Sequence, residues 1–219
     1  MTPIIVAVTG GSASGKSTYA DALRRLLDPL EVRLIAEDEY YGDHADEPGF
    51  DPLRFNFDDV TAHDHALLSD HIQRLKAGET VEAPHYDFVT HRRLEQTRTV
   101  KPADVIIVEG IHVLADPALR DLYDLSIYVD APADIRLARR LLRDVRERGR
   151  SVESVVTQYL RTVRPMHLAH TAPGIETADL VVVNDAAAAS PELEALSPSF
   201  DKLAAPAAVR IKALMEARD

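Results

Sequence analysis

Gly10-Gly11-Ser12-Ala13-Ser14-Gly15-Lys16-Ser17 fits the spacing G-x-x-x-x-G-K-[ST], in which glycines let successive backbone N–H groups curl around an anion. The stretch follows an apolar run, Ile4–Val8, and leads into Thr18–Leu27, which reads as a helix. A helix entered this way turns its positive end toward the anion. Lys16 is then placed to reach the β- and γ-phosphates of a nucleoside triphosphate, and the Ser17 hydroxyl to hold Mg²⁺. The expected triphosphate cradle is Gly10, Gly11, Ser12, Ala13, Ser14, Gly15, Lys16, Ser17 and Thr18.

Two acids and a run of arginines could complete the chemistry. Asp38 lies in Glu37-Asp38-Glu39, just after the apolar run Val32–Ala36. Phosphoryl transfer to a hydroxyl needs a group that accepts its proton and aims its oxygen, and a carboxylate facing the phosphate loop can do this. The same triplet also fits a solvated acidic turn. Glu109 ends Val105–Val108, where an acid sits beside Mg²⁺ in phosphate-loop proteins, and Gly110 permits close backbone approach. Between Ala133 and Arg148 the chain is dense in arginine, and Arg136, Arg140 and Arg143 share one helical face. Guanidinium groups suit phosphate clamping, although paired charges on an exposed helix would give the same pattern. Gly149 reads as the cap or hinge of a lid. Of the nine histidines, His63 and His65 would point to different sides of a helix, and His167 and His170 have no third ligand. All four are expected at the surface, without metal.

These residues need elements to hold them. Ile4–Val8, Val32–Ala36, Val105–Val108, Leu125–Val129 and Leu180–Val183 are nearly continuous aliphatic runs, as in parallel strands buried on both faces. With helices between them they predict an α/β fold, a doubly wound parallel sheet of the P-loop NTPase type. Its ligand crevice should lie outside the carboxyl ends of the strands. Glu37–Val60 is expected to be a long polar loop and Ala62–Lys76 a helix ended by Gly78. Pro84–Val100 reads as a small β excursion. Val152–Leu168 is a helix bent or ended near Pro165. Asn184–Ser199 is a linker by composition, and Pro206–Ala217 a terminal helix with its proline in first position.

Composition removes several classes. A net charge of −11 argues against nucleic-acid or acidic-membrane partners. With no cysteine there is no disulfide, thiolate site or cysteine nucleophile. No segment approaches a membrane span, and the N-terminal residues lack a signal-peptide pattern, so a cytoplasmic location is expected.

Taken in order, the motifs resemble the uridine/cytidine kinase family. The resemblance rests on Gly10–Ser17, Glu37–Tyr41, Asn56-Phe57-Asp58, Pro84–Arg93, Val108–Ile111, Arg139–Arg150, Gln158-Tyr159 and Val163–Met166, and runs from about Ile4 to Val183. It implies transfer of a phosphoryl group from ATP, with Mg²⁺ held by Ser17 and Glu109, to the 5′-hydroxyl of uridine or cytidine. It implies Asp38 as catalytic base, aided by Lys16 and Arg143. Asp58 and Arg140 would hold the ribose hydroxyls, and Tyr86 and His91 the pyrimidine edge. Phe57 and Phe88 would pack on the base, Arg150 and Gln158 would complete the nucleoside site, and Arg143 and Arg148 would serve the ATP side. The implied organisation is a kinase domain over residues 1–185, with a lid at about 140–152 and a nucleoside-binding β excursion at about 80–100. Residues 186–219 supply the linker and last helix, and homo-oligomers are possible, as the family is often tetrameric. Departures stand at Asp59-Val60, where the family usually has His-Pro, at Pro173–Glu176, and at Asn184-Asp185.

Two kinases of the same architecture, phosphoribulokinase-like and nicotinamide riboside kinase-like, would not be expected to carry Tyr86-Asp87-Phe88 followed by His91. A guanine-reading switch would need Asn-Lys-x-Asp, which does not occur. A silent nucleotide-binding homologue is opposed by the intact Lys16, Ser17, Asp38 and Glu109.

Overall fold

Six consecutive buried residues, Ile4–Thr9, form β1 at the centre of a five-stranded parallel sheet. The computed structural model describes residues 2–45, 47–52, 54–185 and 200–218. In chain order the elements after β1 are α1 (Lys16–Leu26), β2 (Val32–Ala36), α2 (His65–Lys76), β3 (Val81–Ala83), β4 (Tyr86–Asp87), β5 (Arg92–Arg93) and β6 (Arg98–Val100). There follow β7 (Val105–Gly110), α3 (Pro117–Arg120), β8 (Leu125–Asp130), α4 (Ala133–Arg148), α5 (Val152–Gln158), α6 (Arg164–Met166), β9 (Leu180–Val183) and α7 (Asp201–Glu216). The sheet order is β2-β7-β1-β8-β9. Ile4 pairs with Val105 on one side, and Val6 with Leu125 on the other.

Side chains of β1 feed two cores. Ile4, Val6 and Val8 meet Leu23 of α1 and Ala204, Ala207 and Ile211 of α7. Ile5 and Ala7 meet Leu68, Ile72 and Leu75 of α2. Helices on both faces explain why β1, β7 and β8 are apolar without alternation. The edge strands differ from the expectation of burial on both faces: Val181 and Val183 of β9 are exposed, because an edge strand has no neighbour beyond it to extend the cover.

Three helix bounds also differ. Val60–Ala62 is a 3₁₀ turn with Asp59 as its cap, and α2 starts only at His65, where Asp64 accepts from Leu67 N–H. Two closely spaced aspartate caps thus break what periodicity reads as one helix. From α5 onward helical backbone runs through wide π-type turns at Tyr159–Val163 and His167–Thr171 to Glu176. Pro165 therefore does not end it, and the wide turn precedes the ring where a regular helix would clash. Pro206 lies inside α7 rather than at its start. Its position is exposed, so the carbonyl that loses a donor can face water. Of the expected linker, residues 186–199 lie outside the described residues. Among the described residues no helix is long and apolar enough to cross a membrane.

Candidate active site

The loop between β1 and α1 is built around backbone that only certain residues tolerate. Gly10 has φ 150° and Gly15 φ 97°. A Cβ at Gly10 would meet Val129 O and Ser14 Oγ, and one at Gly15 would meet the Phe200 ring. Gly15 offers no side-chain cap and α1 has no acid in its first turn, which leaves the N–H groups there to an external anion. Asn184 is fully buried below the loop and donates from Nδ2 to Ser14 O at 2.7 Å.

Above the carboxyl ends of the strands opens a cavity of about 1080 Å³. Ser12, Lys16, Asp38, Phe57, Asp58, Tyr86, Phe88, His91, Arg140, Arg143, Arg148, Arg150 and Gln158 all line it. Gly10, Gly11, Ala13, Ser14, Gly15, Ser17, Thr18 and Glu109 do not line it; Gly10–Gly15 form the turn from which Ser12 reaches the cavity, and Lys16–Thr18 open α1. The Ser17 hydroxyl donates to Glu109 Oε1 at 2.9 Å, and Lys16 Nζ lies 3.9 Å from Glu109 Oε2. That second oxygen is buried with no hydrogen-bond partner. An all-oxygen set with an unsatisfied carboxylate oxygen suits Mg²⁺. Burial pushes the Glu109 carboxyl up, and the Lys16 charge pulls against it.

The acidic triplet is not a solvated turn. Glu37 is fully buried, accepts from His65 Nε2 at 2.8 Å and from His112 N–H at 2.9 Å, and sits in room left by Gly110. Glu39 pairs with Arg98 at 2.6 Å. Asp38 alone opens to the cavity, its side chain half-exposed. The surrounding wall disfavours its charge, but His63 and Lys16 outweigh the wall and hold its carboxyl at about 2.

Around the aromatic end, Phe57 stacks on His91 at 4.9 Å, Tyr86 is buried, and Phe88 is more than half exposed beside it. Asp58 accepts from the Thr162 hydroxyl at 2.7 Å. Arg140 donates to Ser12 Oγ at 2.7 Å and to Gln158 Oε1 at 3.0 Å, and Arg150 reaches the same Gln158 oxygen. Arg136, expected on one face with Arg140 and Arg143, is turned away from the cavity: its Nε donates to Ala131 O, and its Nη2 lies 3.1 Å from His167 Nε2, behind Gly11.

Four features escaped the sequence reading. Asp144 is fully buried among Arg140, Arg143, Arg148 and Arg150, with contacts from 2.9 to 3.7 Å; its spacing of four from Arg140 and Arg148 was a usable signal. Tyr41 stacks on His63 at 4.2 Å and meets Phe57 and Tyr86. Asn184 and Phe200 support the loop from far along the chain, with no local signal. The expected surface placement fails for His63 and His65. His63 is extended rather than helical, so it does not diverge from His65, and both are shielded from solvent. His167 and His170 are partly buried.

A phosphate loop, an acid at the next strand end and an arginine-bearing helix over one cavity define the class: an α/β P-loop nucleotide-binding protein. Residues 5–188 match the model of the phosphoribulokinase/uridine kinase family. The chain belongs to that family. It is 46% identical over 180 residues to a protein named uridine kinase in Clostridium botulinum (strain Kyoto / Type A2), covering 82% of this chain and 87% of the relative. It is 43% identical, over the same share of this chain and 86% of the relative, to a uridine kinase of Clostridium perfringens (strain SM101 / Type A). The fold is shared with D-glycerate 3-kinase of Cryptococcus neoformans (TM-score 0.62, 19% identity, 83% of this chain and 86% of that one). It is shared also with phosphoribulokinase of Rhodobacter spheroides (TM-score 0.59, 16% identity, 83% and 70%).

Proposed function

We propose that this protein transfers the γ-phosphoryl group of ATP to the 5′-hydroxyl of uridine, and of cytidine, releasing ADP and the nucleoside monophosphate. One observation carries the reading: a single cavity is lined at once by Lys16 of the phosphate loop, by Asp38, and by the aromatic group Phe57, Tyr86, Phe88 and His91. The relatives named uridine kinase support the same acceptor.

In this reading the N–H groups of Gly10–Ser17 bind the phosphates, and Lys16 offsets charge on the γ-phosphate. Asp38, ionised at neutral pH, accepts the proton of the 5′-hydroxyl and holds its oxygen in line. Asp58 and Arg140 hold the ribose hydroxyls. Tyr86 and His91 read the pyrimidine edge while Phe57 and Phe88 cover its faces, an arrangement that tolerates either pyrimidine. Gln158 and Arg150 close the nucleoside site, and Arg143 and Arg148 take the phosphate side, on a lid of about residues 140–152. Ser17 and Glu109 would hold Mg²⁺, which would supply positive charge against the phosphates. The kinase domain covers residues 1–185 with the linker and last helix of residues 186–219 in the same domain, acting on small molecules in the cytoplasm, with homo-oligomers as in the family.

A steady-state assay with ATP and Mg²⁺ against uridine, cytidine, adenosine and ribulose 5-phosphate tests this directly. Turnover confined to the pyrimidine nucleosides is expected. In Phe88→Ala, KM for the nucleoside should rise while KM for ATP stays nearly constant. Turnover of ribulose 5-phosphate alone would discard the aromatic site as a base pocket.

A further inference from the structure

Glu37, His63 and His65 make no direct contact with substrate in the reading above, yet they form a buried polar cluster next to Asp38. Each presents one ligand-competent atom, all within 4.8 Å of one another, and all three side chains are shielded from solvent. Both ring nitrogens of His63 are buried without a hydrogen-bond partner, and its nearest acid, Asp38, is 3.9 Å away, beyond hydrogen-bond reach. Burying an imidazole with both nitrogens unsatisfied forfeits the hydrogen bonds it makes to water, so the fold keeps it at a loss unless something outside the chain engages it.

We propose that Glu37, His63 and His65 form a binding site for a divalent transition-metal ion of the zinc class. The donor set is two imidazoles and one carboxylate, as in three-ligand zinc sites that keep a fourth position open. His63 and His65 flank one residue, with His63 extended, and their rings lie nearly parallel at 5.8 Å with an interplanar angle of 14°. Two of the three ligands are held by neighbours outside the set. Tyr41 stacks on His63, and His112 N–H fixes Glu37 through Oε2, leaving Oε1 for the site. Tetrahedral coordination with bonds of about 2.0 Å needs ligand atoms about 3.3 Å apart. The 2.8 Å contact of Glu37 with His65 must therefore open slightly, and no separation within the set, all under 4.8 Å, need close by more than about 1.5 Å. Glu37 and Asp38 supply the negative charge that a dication needs. Two nitrogen donors set this site apart from the all-oxygen pair Ser17 and Glu109, and favour zinc or cobalt over magnesium. An ion here sits beside Asp38 and draws its carboxylate away from a hydroxyl, so occupancy slows turnover. That consequence rests on the base assignment of Asp38; the binding itself does not.

Cobalt(II) added to chelator-treated, untagged protein reads the site by its visible absorption. The expected result is a band saturating at one equivalent, displaced by zinc and untouched by millimolar magnesium. His63→Phe should abolish it, and His65→Gln should weaken binding at least about tenfold. Circular dichroism and Tm verify that each variant is folded, and His63→Gln replaces His63→Phe if the latter is not. No one-equivalent band at about 100 µM cobalt, or a band that persists in both histidine variants, overturns the site. A saturating band with undiminished turnover of uridine overturns the inhibitory role alone. If Asp38→Asn keeps full turnover, the base assignment fails while the spectroscopic result still stands.

Discussion

At the scale of single residues, Asp38 combines half-exposure with a carboxyl held at about 2, because His63 and Lys16 outweigh the desolvating wall. It is charged at any working pH and open to the cavity. Asp38→Asn keeps the shape and removes the proton acceptor. ATP binding should persist while kcat drops by at least ~10²; near-normal turnover in a steady-state assay would end its role as base. His167 gives a second residue-scale prediction. Burial, helped by the Arg136 charge, pulls its imidazole down to about 4. Unfolded, the same ring takes a proton near pH 6.5. Below that value the unfolded state therefore binds more protons, and stability falls as pH drops from 6.5 toward 4. His167→Gln keeps an acceptor for Arg136 and removes the titration. Urea midpoints at pH 7 and pH 5 should then differ less in the variant than in the native protein, and equal differences would refute the argument.

At the scale of elements, α4 shows what spacing can and cannot reveal. Its bounds, its arginine face and its Gly149 cap at φ 63° were all legible, because a 3.6-residue period and a left-handed terminus leave marks in the sequence. The role of Asp144 was legible only in its spacing of four from Arg140 and Arg148, since Arg150, from beyond Gly149, converges on it only after folding. One carboxylate held by four arginines keeps their guanidinium groups fanned over the cavity. Asp144→Asn should cost about 3 kcal/mol, the lower end for breaking a buried pair, since Arg143 and Arg148 remain partly solvated. KM for ATP should also rise; denaturant unfolding with steady-state kinetics checks both, and unchanged values would show the four contacts to be incidental. Helix starts were the poorest readings, because side-chain caps at Asp59 and Asp64 override apolar periodicity.

At the scale of the whole molecule, the central strands and their order of appearance followed from five aliphatic runs, whereas the supports of the phosphate loop did not. Asn184 and Phe200 reach Ser14 and Gly15 across some 170 and 185 positions of chain, a separation on which local patterns are silent. Phe200 is buried edge-on to Tyr19 and seals one core with α7. Phe200→Ala should cost about 3–5 kcal/mol by opening a cavity there. Because the lost ring also backs Gly15, KM for ATP should rise more than KM for uridine. A purely global loss of stability, with both KM values constant, would separate the floor of the loop from its function.

The position of Phe200 also orders events in time. A chain emerging from the ribosome has all five strands once residue 183 is out, and its phosphate loop since residue 17. It has no ring beneath Gly15 until residue 200 follows, and no docked helix until Ile211 joins the core. Stalled chains ending between those points should be sheet-competent yet blind to nucleotide, so the ability to hold a phosphate is acquired late, as the last helix settles.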